Sequence, residues 1–288
     1  MTQESSQIPV SNSRLSPIGI FDSGVGGLSV LRAIHQQLPG EALLYLADQA
    51  HVPYGPRPLE EVRSFSEEIA RFVLSQVAKL VVVACNAASA AALHSLRQTF
   101  PQVPFVGMEP AVKPAAERTQ SGVVGVLATP ATFQGALYAS VVERFAQDVS
   151  LLQHTCPGLV KQIEAGDLDT SETRRILESA LRPMLAQGID TVVLGCTHYP
   201  FVIPLIQDIV GSRVRVIDPA PAVARQVERV LEASGLRNPG DQPGEIVYFT
   251  SGDSIELRHL LPRLIGVSAE VRSLRWAGDQ QHLSLTAI

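Results

Sequence analysis

From Ile18 onward, short Val/Ile/Leu runs alternate with longer segments whose apolar residues recur every three or four positions. That is the pattern of βαβ units on a parallel sheet. Strands are predicted at Ile18 to Phe21, Leu43 to Ala47, Leu80 to Ala84 and Val103 to Val106. Between them, Leu28, Leu31, Ile34 and Leu38 form one helical stripe that stops at Pro39-Gly40. Leu59, Val62, Phe65, Ile69, Phe72 and Val77 form a longer one, with Glu60 and Glu61 near its N-terminus, where the helix dipole favours acids.

A second series begins at Val123 to Leu127 and continues through a weaker run near Val149 to Gln153, then Thr191 to Leu194 and Val214 to Ile217. Gly19-Ile-Phe-Asp-Ser is echoed by Gly125-Val-Leu-Ala-Thr, and Leu80-Val-Val-Val-Ala-Cys85-Asn by Thr191-Val-Val-Leu-Gly-Cys196-Thr. The echoes fall in the same order at corresponding strand ends, so two pseudo-symmetric α/β lobes are expected. Glu109-Pro110-Ala111 and Asp218-Pro219-Ala220 follow strands as stiff, extended connections and mark the crossings. The expected division is a disordered tail over 1–16, a first lobe over 17–109 plus 219–288, and a second lobe over 110–218. The returning chain reads as a helix at Pro221 to Ala233, a strand at Ile246 to Thr250, a helix near Ser254 to Leu264 and a strand near Val271 to Leu274.

Composition narrows the class. The chain has 288 residues, 45% of them hydrophobic but only 5% aromatic, and Ala, Val and Leu suit helices on Val-rich strands. A net charge of -5 and the lack of any Lys/Arg run argue against a nucleic-acid partner. The most apolar stretch, Leu80 to Ala92, is too short for a bilayer and is interrupted by Asn86 and Ser89, so no membrane span is expected. The polar first sixteen residues do not read as a signal peptide, and a cytoplasmic protein is expected. Three cysteines are too few and odd in number for a disulfide framework, which leaves reduced thiols as the default.

Cys85 and Cys196 each close an apolar run and precede small or polar residues that open a helix. Ligands in open α/β sheets bind beyond the carboxyl ends of the strands, and a helix N-terminus lowers a thiol pKa. A lone strand cysteine is more often an inert core residue. Two at equivalent points of similar lobes weigh against that. A thiolate on one side and a thiol on the other can take a proton from one face of a tetrahedral carbon and return one to the opposite face, as racemisation requires.

No cofactor is expected. Lys79, Lys113 and Lys161 have no persuasive Schiff-base setting, and the loop from Phe21 to Ser29 fails as a dinucleotide fingerprint because Ser29 holds the third glycine position. The same loop can present backbone N–H groups and the Ser23 hydroxyl to a carboxylate. Asp22 either faces an ammonium group or influences Cys85, or it simply caps the helix. Pro53-Tyr54-Gly55 and Thr197-His198-Tyr199-Pro200 are turn-like segments beside strand ends, readable as plain loop chemistry or as site walls. The seven histidines show no metal-ligand spacing, so no metal is expected. His198 stands apart because it lies two residues from Cys196, and Cys156, with no strand read immediately ahead of it, is taken as structural.

Taken together, Asp22-Ser23-Gly24, Pro53-Tyr54-Gly55, Cys85-Asn86 and Cys196-Thr197-His198 resemble glutamate racemase, a family of the cofactor-independent aspartate/glutamate racemase superfamily, from Ile18 to about Asp253. The resemblance implies two α/β lobes with the active site in the cleft between them, and interconversion of L- and D-glutamate to supply D-glutamate for peptidoglycan. It implies Cys85 and Cys196 as acid/bases, assisted by Asp22, His198 and Glu164. It also implies substrate contacts from Asp22, Ser23, Tyr54, Gly55, Asn86, Ala87, Thr197 and His198, and a homodimer. The family has Thr where this chain has Ala87. A hydroxyl bond to a charged group is worth roughly 1.5–3 kcal/mol, so weaker binding is expected unless water or the Ala87 N–H substitutes. The rival readings are an aspartate or hydantoin racemase, and a non-catalytic ligand-binding or redox-sensing protein.

Overall fold

Strands covered by helices on both faces have no solvated side to encode, so they read as unbroken apolar runs. The central strands here are of that kind. In the computed structural model, which describes residues 13–240, 242–278 and 282–286, the chain opens with β1 (Ile18–Asp22), α1 (Leu28–Gln37), β2 (Leu43–Ala47), α2 (Leu59–Ser75), β3 (Leu80–Val83), α3 (Asn86–Thr99) and β4 (Phe105–Gly107). Every residue of β1, β2 and β3 is buried. β1 pairs in parallel with β2 and β3, and β4 adds beyond β3.

The chain then builds a second sheet from α4 (Val112–Ala116), β5 (Val123–Ala128), α5 (Pro130–Gln134), α6 (Ala136–Phe145), β6 (Ser150–His154), α7 (Leu159–Glu164), α8 (Ser171–Ala186), β7 (Thr191–Gly195), a 3-10 turn at Tyr199–Val202, α9 (Ile203–Val210) and β8 (Arg215–Ile217). It returns to the first sheet with α10 (Ala220–Ala233), β9 (Ile246–Thr250), α11 (Ser254–Ile265), β10 (Val271–Ala277) and β11 (His282–Leu285). The strand orders are β11-β10-β9-β2-β1-β3-β4 and β6-β5-β7-β8. All pairings are parallel except β10 with β11.

The second sheet therefore repeats the β2-β1-β3-β4 order of the first. The likeness reaches side chains. A Cβ added at Gly19 of β1 would run into Val73 of α2, and one at Gly125 of β5 would meet Met184 of α8. In each lobe a glycine on the first strand lets the helix after the second strand settle close. One buried apolar cluster runs from Leu31 and Val227 through Val25 and Ile163 to Leu194, so the lobes share a core. The two crossings, at Glu109-Pro110-Ala111 and Pro219, line a single groove.

Several expectations need correction. Ser13 to Ser16 belong to the ordered chain, because Arg14 donates to the Gly235 carbonyl at 2.9 Å and its own carbonyl accepts from Lys79 Nζ at 2.5 Å. The rest of the expected tail, residues 1–12, lies outside the described residues. Val77 is not part of the α2 stripe. It is exposed in a left-handed turn (φ 55°), because the chain must reverse there to enter β3 at Leu80. Cys156 does have a strand close ahead, since β6 ends two residues before it. β11 was not anticipated. It is an edge strand with one buried residue in four, too weak a pattern to read.

Candidate active site

Cys85 follows β3 and caps α3 in extended conformation, with its sulfur accepting the Ala88 N–H at 3.5 Å. The thiol points its own proton toward Ser23 Oγ, 3.9 Å away. Cys196 stands at the equivalent point after β7, with Sγ 3.7 Å from His198 Nδ1. Both are buried, yet both border one small cavity.

Nine of the expected site residues line this cavity: Ser23, Tyr54, Gly55, Cys85, Asn86, Ala87, Cys196, Thr197 and His198. Asn86 is buried, and neither its amide oxygen nor its nitrogen bonds to another protein group. Buried amides left in this way are uncommon, and this one sits on the cavity wall. Tyr54 presents its ring, while its hydroxyl donates at 2.6 Å to Asp48, which also accepts from His51, Ser251 and Trp276. Pro53, Thr129 and Val160 complete the lining. Thr129 was missed, although the echo of Gly19-to-Ser23 in Gly125-to-Thr129 places it where Ser23 stands in the other lobe.

Asp22 and Glu164 stand directly behind the cavity lining, Asp22 Oδ1 lying 3.5 Å from Thr197 Oγ1 and Glu164 Oε1 beside His198. They brace the wall. Asp22 is fully buried, and Oδ2 accepts the Gly27 N–H at 2.8 Å and the Gly24 N–H at 3.3 Å, which fastens the loop ahead of α1, whose N-cap Gly27 has no side-chain cap bond. The glycine loop therefore does not offer those N–H groups to a ligand. Val25 N–H is engaged too, donating to Glu164 Oε1 at 2.8 Å. What the glycines supply is room between the lobes. A Cβ at Gly24 would land on Glu164, and one at Gly26 would crowd His198 and Thr197.

Burial dominates the electrostatics around Cys85. Burial pushes Cys85 well above the usual thiol range, the Asp22 carboxylate adds to this, and the Ala88 N–H only partly offsets it. The expectation that a helix N-terminus would lower this thiol is overturned, since desolvation outweighs one N–H dipole. Burial likewise raises Asp22, and the charge of His198 opposes it. His198 shows the reverse balance. Burial alone would push it down, but its bonds to Cys196 and Glu164 prevail and hold it well above its ordinary value of 6.5. Its Nε2 lies 2.5 Å from Glu164 Oε1.

Among the described residues there is no group of three His, Cys, Asp or Glu placed to hold a metal, and no helix long and apolar enough to cross a membrane. Residues 18–227 match the profile of the Asp/Glu/Hydantoin racemase family. A glutamate racemase of Pseudomonas aeruginosa is 52% identical over 257 residues, covering 89% of this chain and 97% of that protein. The crystal structure of a glutamate racemase isoform from Bacillus anthracis superposes with a TM-score of 0.80 at 34% identity, covering 90% of this chain and 97% of that one. An Escherichia coli glutamate racemase, solved with L-glutamate and the activator UDP-MurNAc-Ala, gives 0.79 at 31% identity, with 91% and 99% covered. By fold and likeness the molecule is an isomerase of the amino-acid racemase class. The chain belongs to the Asp/Glu/Hydantoin racemase family.

Proposed function

We propose that the protein interconverts L- and D-glutamate by two-base proton transfer at the α-carbon. The observation that carries this reading is the pair of buried thiols, Cys85 and Cys196, at equivalent strand ends of two lobes and on one cavity. The thiolate of one cysteine takes the α-proton as the Cα–H bond breaks. The thiol of the other gives its proton to the opposite face as the new Cα–H bond forms, and configuration inverts. Ser23, Asn86, Thr129 and Thr197 supply neutral donors for the substrate carboxylates, and the buried Asn86 amide is the best placed of them. Preorganised dipoles stabilise developing charge better than water does. The glutamate racemases of P. aeruginosa and E. coli, by name, support the choice of substrate.

The reading extends to lobes at 17–109 plus 219–288 and at 110–218, to supply of D-glutamate for peptidoglycan in the cytoplasm, and to a homodimer. The direct test is incubation with D-glutamate in D2O without added cofactor, following optical rotation and deuterium at the α-carbon. Rotation should decay to zero as deuterium enters. No exchange with either enantiomer would overturn the proposal.

A further inference from the structure

The two oxygens of Glu164 have different partners. Oε1 faces His198 and the Val25 N–H, whereas Oε2 accepts from Gln49 Nε2 at 3.1 Å. Gln49 follows β2 in the first lobe and does not line the cavity. Its amide has one permitted orientation. An ionised carboxylate only accepts, so Nε2 must face Glu164 and Oε1 turns to the Thr250 hydroxyl at 2.8 Å, whose oxygen also accepts the Gly252 N–H at 2.9 Å. Thr250, at the end of β9, is fully buried, so this hydroxyl has no solvent alternative. Both ends of the chain are cleared by missing side chains. A Cβ at Gly24 would land on Glu164, and one at Gly252 would come within 2.7 Å of Gln49 Cβ.

We propose that Gln49 is a positioning residue for proton transfer at Cys196: oriented by Thr250, it aligns Glu164, which aligns His198 against the Cys196 sulfur. The inference rests on the two-base reading above and adds to it a residue outside the cavity. Groups that orient a reacting side chain in this way set its alignment without touching substrate. The relay is also lopsided. The Ser23, Ala88 and Asp22 partners of Cys85 all belong to the first-lobe elements β1 and α3 and the loop after β1. The Glu164 that serves Cys196 is carried by α7 of the second lobe but held by Val25 and Gln49 of the first. The Cys196 acid/base group is therefore complete only when the lobes are together.

Gln49→Met keeps the bulk and removes the amide. With glutamate, kcat should fall about tenfold while KM stays within about twofold, the signature of lost transition-state alignment. The kinetic isotope effect with α-deuterated glutamate should rise for one enantiomer only, because Cys196 abstracts the proton from one face. Combined with Glu164→Gln, the substitution should add less than about twofold, since residues acting through one another are not additive. Thr250→Val should lower kcat in the same direction, and Thr250→Ser should restore it. This pair carries the test should Gln49→Met fail to fold. An unchanged kcat, equal isotope effects for both enantiomers, or multiplicative losses with Glu164→Gln would overturn the relay. A wild-type protein that does not exchange the α-proton of glutamate would overturn the functional reading itself and the relay with it.

Discussion

His198 and Glu164 form a buried pair, Nε2 to Oε1 at 2.5 Å, in which the carboxylate reaches back to Val25 in the other lobe. A titrating group beside the Cys196 thiol is thereby tied to the contact between the lobes. Conditions that uncharge the imidazole weaken a catalytic contact and an interlobe contact together.

Stability should follow the charge of this histidine. Because His198 is held above its ordinary value, its contribution is fully present below about pH 6.5 and is lost as pH rises through the elevated native value. Thermal melts of the wild type should be level toward mildly acidic pH and decline on the alkaline side. In Glu164→Gln the decline should begin nearer neutrality. Superimposable profiles for the two proteins would contradict the assignment.

Acid should act elsewhere. Burial works against Asp190, but the N–H groups of Ser121 and Gln120 and the hydroxyls of Thr119 and Thr191 outweigh it and bring its pKa down to about 2. The stabilisation is complete above about pH 3.8 and disappears as pH falls through about 2. Asp190→Asn should flatten this acid limb in pH-dependent urea melts. An unaltered limb would show that Asp190 does not anchor the turn before β5.

On the proposed two-base mechanism, each of the two thiols should be indispensable. Cys85→Ser and Cys196→Ser should each cut racemisation by at least about 10²–10⁴-fold, the range of a lost general acid or base, with little change in melting temperature. Near-normal turnover by either variant would refute the two-base mechanism. Cys156→Ser, away from the cavity wall, should keep its activity.

Gly24→Ala tests the close approach of the lobes. The new methyl would fall on Glu164, and relieving such overpacking costs about 1–3 kcal/mol. Activity should suffer more than stability, read as kcat against melting temperature, because the carboxylate is displaced from His198. A fully active variant would mean that Glu164 can shift without consequence.

Ala87→Thr asks whether the hydroxyl is worth restoring. Ala87 borders the cavity, so a threonine there should lower KM for glutamate about tenfold if it reaches a substrate carboxylate. An unchanged KM would indicate that the Asn86 amide and neighbouring hydroxyls already satisfy the ligand.

How much of this was legible in the sequence depended on the range of the signal. β3 and β7 were readable because both faces are buried, and the echo between them located both thiols. Edge strands such as β11 and partly exposed β6 carry half-solvated patterns that periodicity hardly distinguishes from loop. The Asp48 cluster was invisible, since Trp276 lies 228 positions away and nothing local marks Tyr54 as a donor to a buried carboxylate. The thiol pKa was misjudged for a related reason. The cap is local and visible, but desolvation depends on the whole fold.

The paired crossings carry a mechanical consequence. Both passages of the chain between the two sheets border one groove, so the connections lie together on one side while Glu164 bridges the sheets elsewhere. Parting the sheets at that face would therefore break the Glu164 contacts with Val25 and Gln49 while the chain connections stayed joined.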